Sequence, residues 1–167
     1  KSLLLSTIES YFQGKKELFK GLAIEALEKE WKAYPVLTLS FGRQDFTRSE
    51  VLEKGIHTFL RNAEEKYGIV HANDTLGDRF FDLLRLIYEK TGRQVVVLID
   101  EYDKPLLDVM ESKAKVEYHG EQITLEEHNR NLLKSFYATF KDADKYLRFV
   151  MLTGVTKFSQ ISVFSGF

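Results

Sequence analysis

The segment Val95-Val96-Val97-Leu98-Ile99-Asp100-Glu101 decides the fold of this 167-residue chain. Five consecutive apolar residues, most of them β-branched, are too few for a buried helix. No polar residue interrupts them, so both faces of the resulting strand must be covered. That pattern marks a strand inside a parallel sheet with helices on either side. Two carboxylates follow at once, at the carboxyl end of the strand, where open α/β sheets place their ligands.

Working outward, a second strand is read at Val36-Leu37-Thr38-Leu39-Ser40-Phe41, whose strict alternation means burial on one face only, as near a sheet edge. A third is read at Arg148-Phe149-Val150-Met151-Leu152, closing on Thr153-Gly154. Between them lie helical periodicities. Leu3, Leu4, Leu5, Ile8, Tyr11 and Phe12 predict a first helix stopped by Gly14. Leu18, Phe19, Leu22, Ala26, Leu27 and Trp31 predict a second helix with those residues inward. Thr47-Arg48-Ser49-Glu50 has capping-box spacing and predicts a helix to about Tyr67-Gly68. Further helices are expected from about Thr75 to Lys90 with Gly92 at the exit, from Asp103 and Pro105 through Met110, and from a second capping box at Thr124-Leu125-Glu126-Glu127. A polar loop is expected over about Ser112 to Ile123. Strands separated by helices make an α/β layered domain, with no internal repeat or linker-like stretch to divide it.

Composition narrows the function. Hydrophobic residues at 44% and charged residues at 29% suit a packed core and exclude a disordered tail. Lys plus Arg (24) balances Asp plus Glu (25), which excludes a strongly basic nucleic-acid binder. The absence of cysteine excludes disulfide scaffolds, thiolate metal sites and thiol catalysis, and fits a cytoplasmic protein. The longest apolar run falls far short of the roughly 20 residues that span a bilayer, so no membrane partner is expected. The apolar stretch after Lys1 breaks at Ser6, too early for a signal peptide.

The chemistry points to phosphate. Asp100 and Glu101 after a buried strand have the Walker B arrangement, in which the Asp holds Mg²⁺ and the Glu orients and deprotonates the attacking water. Two acids are needed because one stays with the metal while the other handles a proton. Alone, acids in this position can also serve only to cap the next helix, as Asp103 does in that reading. Lys1-Ser2 directly precedes an amphipathic helix, as the last two residues of Gly-x-x-x-x-Gly-Lys-Ser/Thr do. Thr153 closes the strand after the acidic one, where a polar residue can sense the γ-phosphate. Each clue has an ordinary structural explanation; their order along the chain is what joins them.

Leu98-Ile99-Asp100-Glu101-Tyr102-Asp103-Lys104-Pro105-Leu106 resembles the Walker B segment of the AAA-ATPase-like family of predicted ATPases. Leu152-Thr153-Gly154-Val155-Thr156-Lys157-Phe158-Ser159, continuing through Val163-Phe164-Ser165-Gly166, resembles the family's later signature, and Lys1 to Thr7 the end of its P-loop and the helix beyond. The resemblance covers the whole chain. It implies a P-loop NTPase core of the ASCE, AAA-like type, a three-layer α/β domain with a parallel sheet. It also implies ATP and Mg²⁺ as cofactors, with Lys1 and Ser2 binding nucleotide, Ser2 and Asp100 binding the metal, Glu101 activating water and Thr153 as sensor. Full-length members often carry a PD-(D/E)xK nuclease-like domain, which would make nucleic acid a partner; a homo-oligomer is a further expectation.

The strand before the P-loop and its glycines are absent from residues 1–167, so the chain is expected to be a single incomplete domain. Nothing in it replaces the glycine-loop N–H groups that cradle phosphate. The missing strand would lie beside Phe149–Leu152, leaving an apolar edge open. The expectation is weak ATP binding and marginal stability for residues 1–167 alone. The competing functional reading is a nucleotide-gated or non-catalytic interaction module built on the same fold.

Other features carry less. His57, His71, His119 and His128 lack metal-ligand spacing, and His128 reads as part of a solvated helix face. Glu101-Tyr102-Asp103-Lys104 lacks the spacer of a nuclease triplet. Arg43, Arg48, Lys54 and Arg61 are interleaved with acids and read as surface, and Lys157 as a solvated loop lysine near the sensor.

Overall fold

The computed structural model describes residues 1–156. In chain order it contains α1 (Ser2–Phe12), a short 3-10 helix (Lys16–Phe19), α2 (Ala23–Leu27), β1 (Val36–Ser40), α3 (Val51–Tyr67), α4 (Leu76–Thr91) and β2 (Val95–Asp100). There follow α5 (Lys104–Leu107), β3 (Lys115–Tyr118), β4 (Glu121–Thr124), α6 (Leu125–Asp142), a second 3-10 helix (Asp144–Tyr146) and β5 (Leu147–Leu152).

The three strands β1, β2 and β5 form one parallel sheet in the order β1-β2-β5. β2 is buried along its whole length. Its odd residues Val95, Val97 and Ile99 join the large core under α3, α4 and α6, and its even residues Val96 and Leu98 pack with Leu5 of α1. Helices on both faces therefore explain why no polar residue breaks the run 95–99. β1 buries Leu37 and Leu39 but exposes Thr38 and Ser40, as its alternation requires of an edge strand. β5 is the other edge among the described residues, with Phe149 38% exposed yet stacked on Phe12.

Several local expectations are corrected. The apolar spacing at 18–31 does not make one helix. Gly21 adopts φ +81, its N–H donates to the Glu25 carboxylate at 2.7 Å, and Leu18, Leu22 and Leu27 are exposed. The left-handed glycine breaks the run, and no facing surface is left to reward its apolar side. At 47–50 the capping box does not form. Asp45 accepts both the N–H (3.0 Å) and the hydroxyl (2.6 Å) of Thr47, and α3 starts only at Val51. The segment read as a polar loop contains a hairpin, β3 and β4, turned by His119 (φ +51) and Gly120 (φ +83). Two successive positive φ values suit a two-residue hairpin turn, and the charged side chains of both strands hid it from a hydrophobicity reading. At the second capping box the N-cap bond forms: Thr124 accepts the N–H of Glu127 at 3.1 Å.

A buried ion pair joins α3 to α4. Arg79 donates to both oxygens of Glu64 at 2.7 Å, and its third contact is His57 Nδ1 at 2.8 Å. Burial pushes the Glu64 carboxyl up, but the Arg79 hydrogen bonds and charge outweigh it and hold the group below its usual range. His128 is not on a solvated face. It packs half-buried against the Tyr118 ring, and burial lowers its pKa. No helix of the described residues is long and apolar enough to cross a membrane.

Candidate functional site

Parallel strands bring their carboxyl ends to one side of the sheet, so Ser40, Asp100 and the residue after β5, Thr153, meet there. The amino end of α1 arrives at the same place. Asp100 is the centre of the group. Its Oδ2 accepts the Ser2 hydroxyl at 2.9 Å and its Oδ1 accepts the Thr153 hydroxyl at 2.5 Å. Burial alone would raise the Asp100 pKa; the bonds from Thr153 and Ser2 reverse this and hold the carboxylate below its ordinary value. Lys1 Nζ lies beside them, donating to the Gly154 carbonyl at 2.7 Å. Two segments far apart in sequence, residues 1–2 and 153–154, thus meet at the Asp100 carboxylate.

No side chain caps the start of α1. The N–H groups of its first turn and the positive end of its dipole are therefore left for an anion. Ser2 Oγ and Asp100 Oδ2 sit at the spacing of two neighbouring corners of a magnesium octahedron, about 2.9 Å for bonds of about 2.1 Å. One hydroxyl and one carboxylate, with phosphate and water for the rest, is also the donor set that Mg²⁺ prefers. The residues fit that ion. No group of three or more His, Cys, Asp or Glu able to hold a metal is found among the described residues. A groove of about 380 Å³ opens beside Asp100, lined among others by Ser2, Ser6, Glu9, Thr38 and Ser40.

Glu101 stands apart from the cluster. Its backbone is left-handed (φ +54), a conformation that costs a non-glycine residue about 1 kcal/mol or more. Its carboxylate makes no hydrogen bond among the described residues and lies against Gly42 in the loop after β1. A Cβ at Gly42 would sit 3.1 Å from Glu101 Oε1, so the absence of a side chain there makes room for the acid.

Asp103 stands at the N-cap of α5 as expected, but its side chain does not cap the helix. It is 1% exposed, and its Oδ2 accepts the backbone N–H groups of Val155 (2.9 Å) and Thr156 (2.6 Å). Tyr102 reinforces the link: its N–H donates to the Thr153 carbonyl and its hydroxyl to the Thr156 carbonyl, each at 2.9 Å. Gly154 lies so close that a Cβ would be 2.4 Å from Tyr102 Cε1 and 2.6 Å from Asp103 Oδ1. The segments 100–103 and 153–156 are therefore one laced unit. Lys104, weighed as part of a nuclease triplet, instead binds Asp108 at 2.5 Å and the Gln44 carbonyl at 2.8 Å.

Sequence reading had named Lys1, Ser2, Asp100, Glu101 and Thr153, and had missed Ser40, Gly42 and the clamp by Asp103. The register that sets Ser40 opposite Asp100 offered a signal for the first, since both end parallel strands. Lys157 and the continuation of the later signature lie outside the described residues.

A sequence profile for predicted AAA-ATPases of the AAA-ATPase-like family matches residues 1–164. The chain is also 37% identical over 169 residues to a protein of Azotobacter chroococcum mcd 1 described as "Uncharacterized protein in vnfD 5'region". That match takes in 99% of this chain and 30% of the relative, so the chain spans less than a third of the relative's length. No solved structure matches. With every described residue inside the profile and both laced segments among them, the chain belongs to the AAA-ATPase-like family of predicted AAA-ATPases.

Proposed function

We propose that this domain binds ATP and hydrolyses it with Mg²⁺, coupling turnover to movement of an attached domain or partner, on a P-loop NTPase core of the ASCE type. The observation that carries the reading is Asp100 bound simultaneously by Ser2 and Thr153 at the carboxyl end of a parallel sheet, with Lys1 alongside. The strand order supports it, with the acidic strand β2 between an edge strand and the polar-tipped β5.

Bound Mg-ATP supplies the phosphoanhydride bond and a divalent cation that spreads its charge. The chain's own residues divide the remaining work. Lys1 swings its ammonium from the Gly154 carbonyl to neutralise the phosphate oxygens. Ser2 Oγ and Asp100 would hold the cation, and the hydrogen bonds from Thr153 and Ser2 that lower the Asp100 pKa keep that carboxylate charged at neutral pH. Thr153 Oγ1 orients the terminal phosphate. Glu101, whose carboxylate makes no hydrogen bond among the described residues, takes the proton from the attacking water at one of its Oε atoms as the bond between the terminal phosphate and ADP breaks.

A nucleotide-gated switch without turnover is the second reading. It is favoured by the position of Lys1 Nζ on the Gly154 carbonyl, where nucleotide binding would exchange that bond for one to phosphate next to the laced segment. The deciding experiment is ATP turnover and ATP binding by the full-length protein beside its Glu101→Gln variant. Loss of about 10²–10⁴ in turnover with binding retained supports hydrolysis with Glu101 as base. Binding without turnover in the parent leaves the switch, and normal turnover in the variant removes Glu101 from the mechanism.

A further inference from the structure

A second groove, of about 570 Å³, runs along the outer side of β1 against α3 and shares Thr38, Leu39 and Ser40 with the groove beside Asp100. Its wall on the sheet side is open backbone. Val96 N–H donates to the Pro35 carbonyl and Phe41 N–H to the Asp100 carbonyl, so odd-numbered β1 residues turn their polar groups toward β2. Alternation then turns the N–H and C=O groups of Val36, Thr38 and Ser40 outward. β1 pairs with β2 alone among the described residues, leaving those groups unmatched.

The wall on the helix side is patterned. Gly55, Phe59 and Ala63 follow at i, i+4 and i+8 and form an apolar floor, with a hollow at Ala63 and the Gln44 side chain seated over Gly55. Lys54, Thr58, Asn62 and Lys66 follow at the same spacing on the exposed rim. From Lys54 to Lys66 the helix rises about 18 Å. The five residues of β1 extend over about 17 Å, so the two walls match in length. The lining contains two lysines and no carboxylate. Lys66 lies over the Tyr67 ring, and neither lysine is ion-paired among the described residues. Gln44 Oε1, packed over Gly55, is a buried acceptor with no hydrogen-bond partner among the described residues.

We propose that this groove receives an extended acidic segment of a partner protein, added to the sheet as a further strand beside β1. Backbone bonds to Val36, Thr38 and Ser40 provide the affinity, a small apolar side chain enters the hollow at Ala63, and carboxylates at the two ends meet Lys54 and Lys66. Ser40 also lines the groove beside Asp100, but the proposed strand needs no bound nucleotide.

The test uses the full-length protein and fluorescein-labelled seven-residue peptides of alternating valine and threonine, ended by glutamate at both ends or by lysine at both ends. Anisotropy should show the glutamate-ended peptide binding roughly three- to tenfold more tightly, the worth of two exposed ion pairs. Backbone N-methylation of that peptide should abolish binding. The double variant Lys54→Glu/Lys66→Glu changes exposed side chains only and should reverse the preference in favour of the lysine-ended peptide. Equal affinity for both peptides, or no binding of the glutamate-ended one, overturns the proposal. So does a concentration-dependent dimer that the double variant abolishes, because the occupant would then be a second copy of this chain.

Discussion

Replacing Asp103 tests whether the acidic segment and the loop after β5 behave as one unit. In Asp103→Ala the N–H groups of Val155 and Thr156 lose their shared acceptor. An abandoned buried donor costs about 1–3 kcal/mol, and bonds to a charged acceptor lie at the upper end. Val155 is 74% exposed, so water can reach its amide and part of the loss is recovered there. The net destabilisation should be about 2–4 kcal/mol. Both donors use the same oxygen, Oδ2, so Asp103→Asn can keep both bonds through its carbonyl and lose only their charge assistance, about 1 kcal/mol. Urea unfolding of the full-length protein measures the two losses. Amide hydrogen exchange localises them, since Val155 and Thr156 should exchange much faster in the Ala variant and only slightly faster in the Asn variant. Equal urea midpoints for Ala and Asn, or unchanged protection at both amides, would refute the clamp. If the clamp positions Thr153, the Ala variant should also weaken ATP binding under conditions where it remains folded.

Gly154→Ala should destabilise by about 1–3 kcal/mol, because its Cβ meets the Tyr102 ring and the Asp103 carboxylate, both held by other bonds; a wild-type urea midpoint would contradict this. Glu64→Gln leaves the Arg79 guanidinium buried without its counter-ion and should cost about 3–5 kcal/mol. Because the folded-state pKa of Glu64 is depressed, its contribution is complete above the unfolded carboxylate value, about 4.3, and disappears as pH falls through the folded value. The gap in urea midpoint between wild type and Glu64→Gln should therefore shrink on going from pH 6 toward pH 3, and a constant gap would exclude the linkage.

The sheet was legible because its strands report burial directly. An unbroken run at 95–99 needs two covered faces, and alternation at 36–40 needs one, so β2 and β1 were readable as centre and edge before any contact was known. The same holds for α4, α6 and the Thr124 cap, whose signals lie within a few residues of one another. Reading failed where apolar spacing had no surface to meet. Residues 18–31 carry a helical pattern, yet Gly21 turns left-handed and three leucines remain exposed. It failed again at β3 and β4, where cross-strand pairing outweighs a charged composition.

For the site, residue types and order along the chain were enough to nominate Lys1, Ser2, Asp100, Glu101 and Thr153. Their meeting around one carboxylate is a property of the parallel sheet, which carries strand ends from positions 40, 100 and 152 to one edge. Whether a given acid faces that cluster, a neighbouring loop or a buried backbone amide depends on partners about fifty residues away. Asp100, Glu101 and Asp103 look alike as letters; packing alone made the first the centre of the cluster, set the second against Gly42, and buried the third as the clamp on Val155 and Thr156.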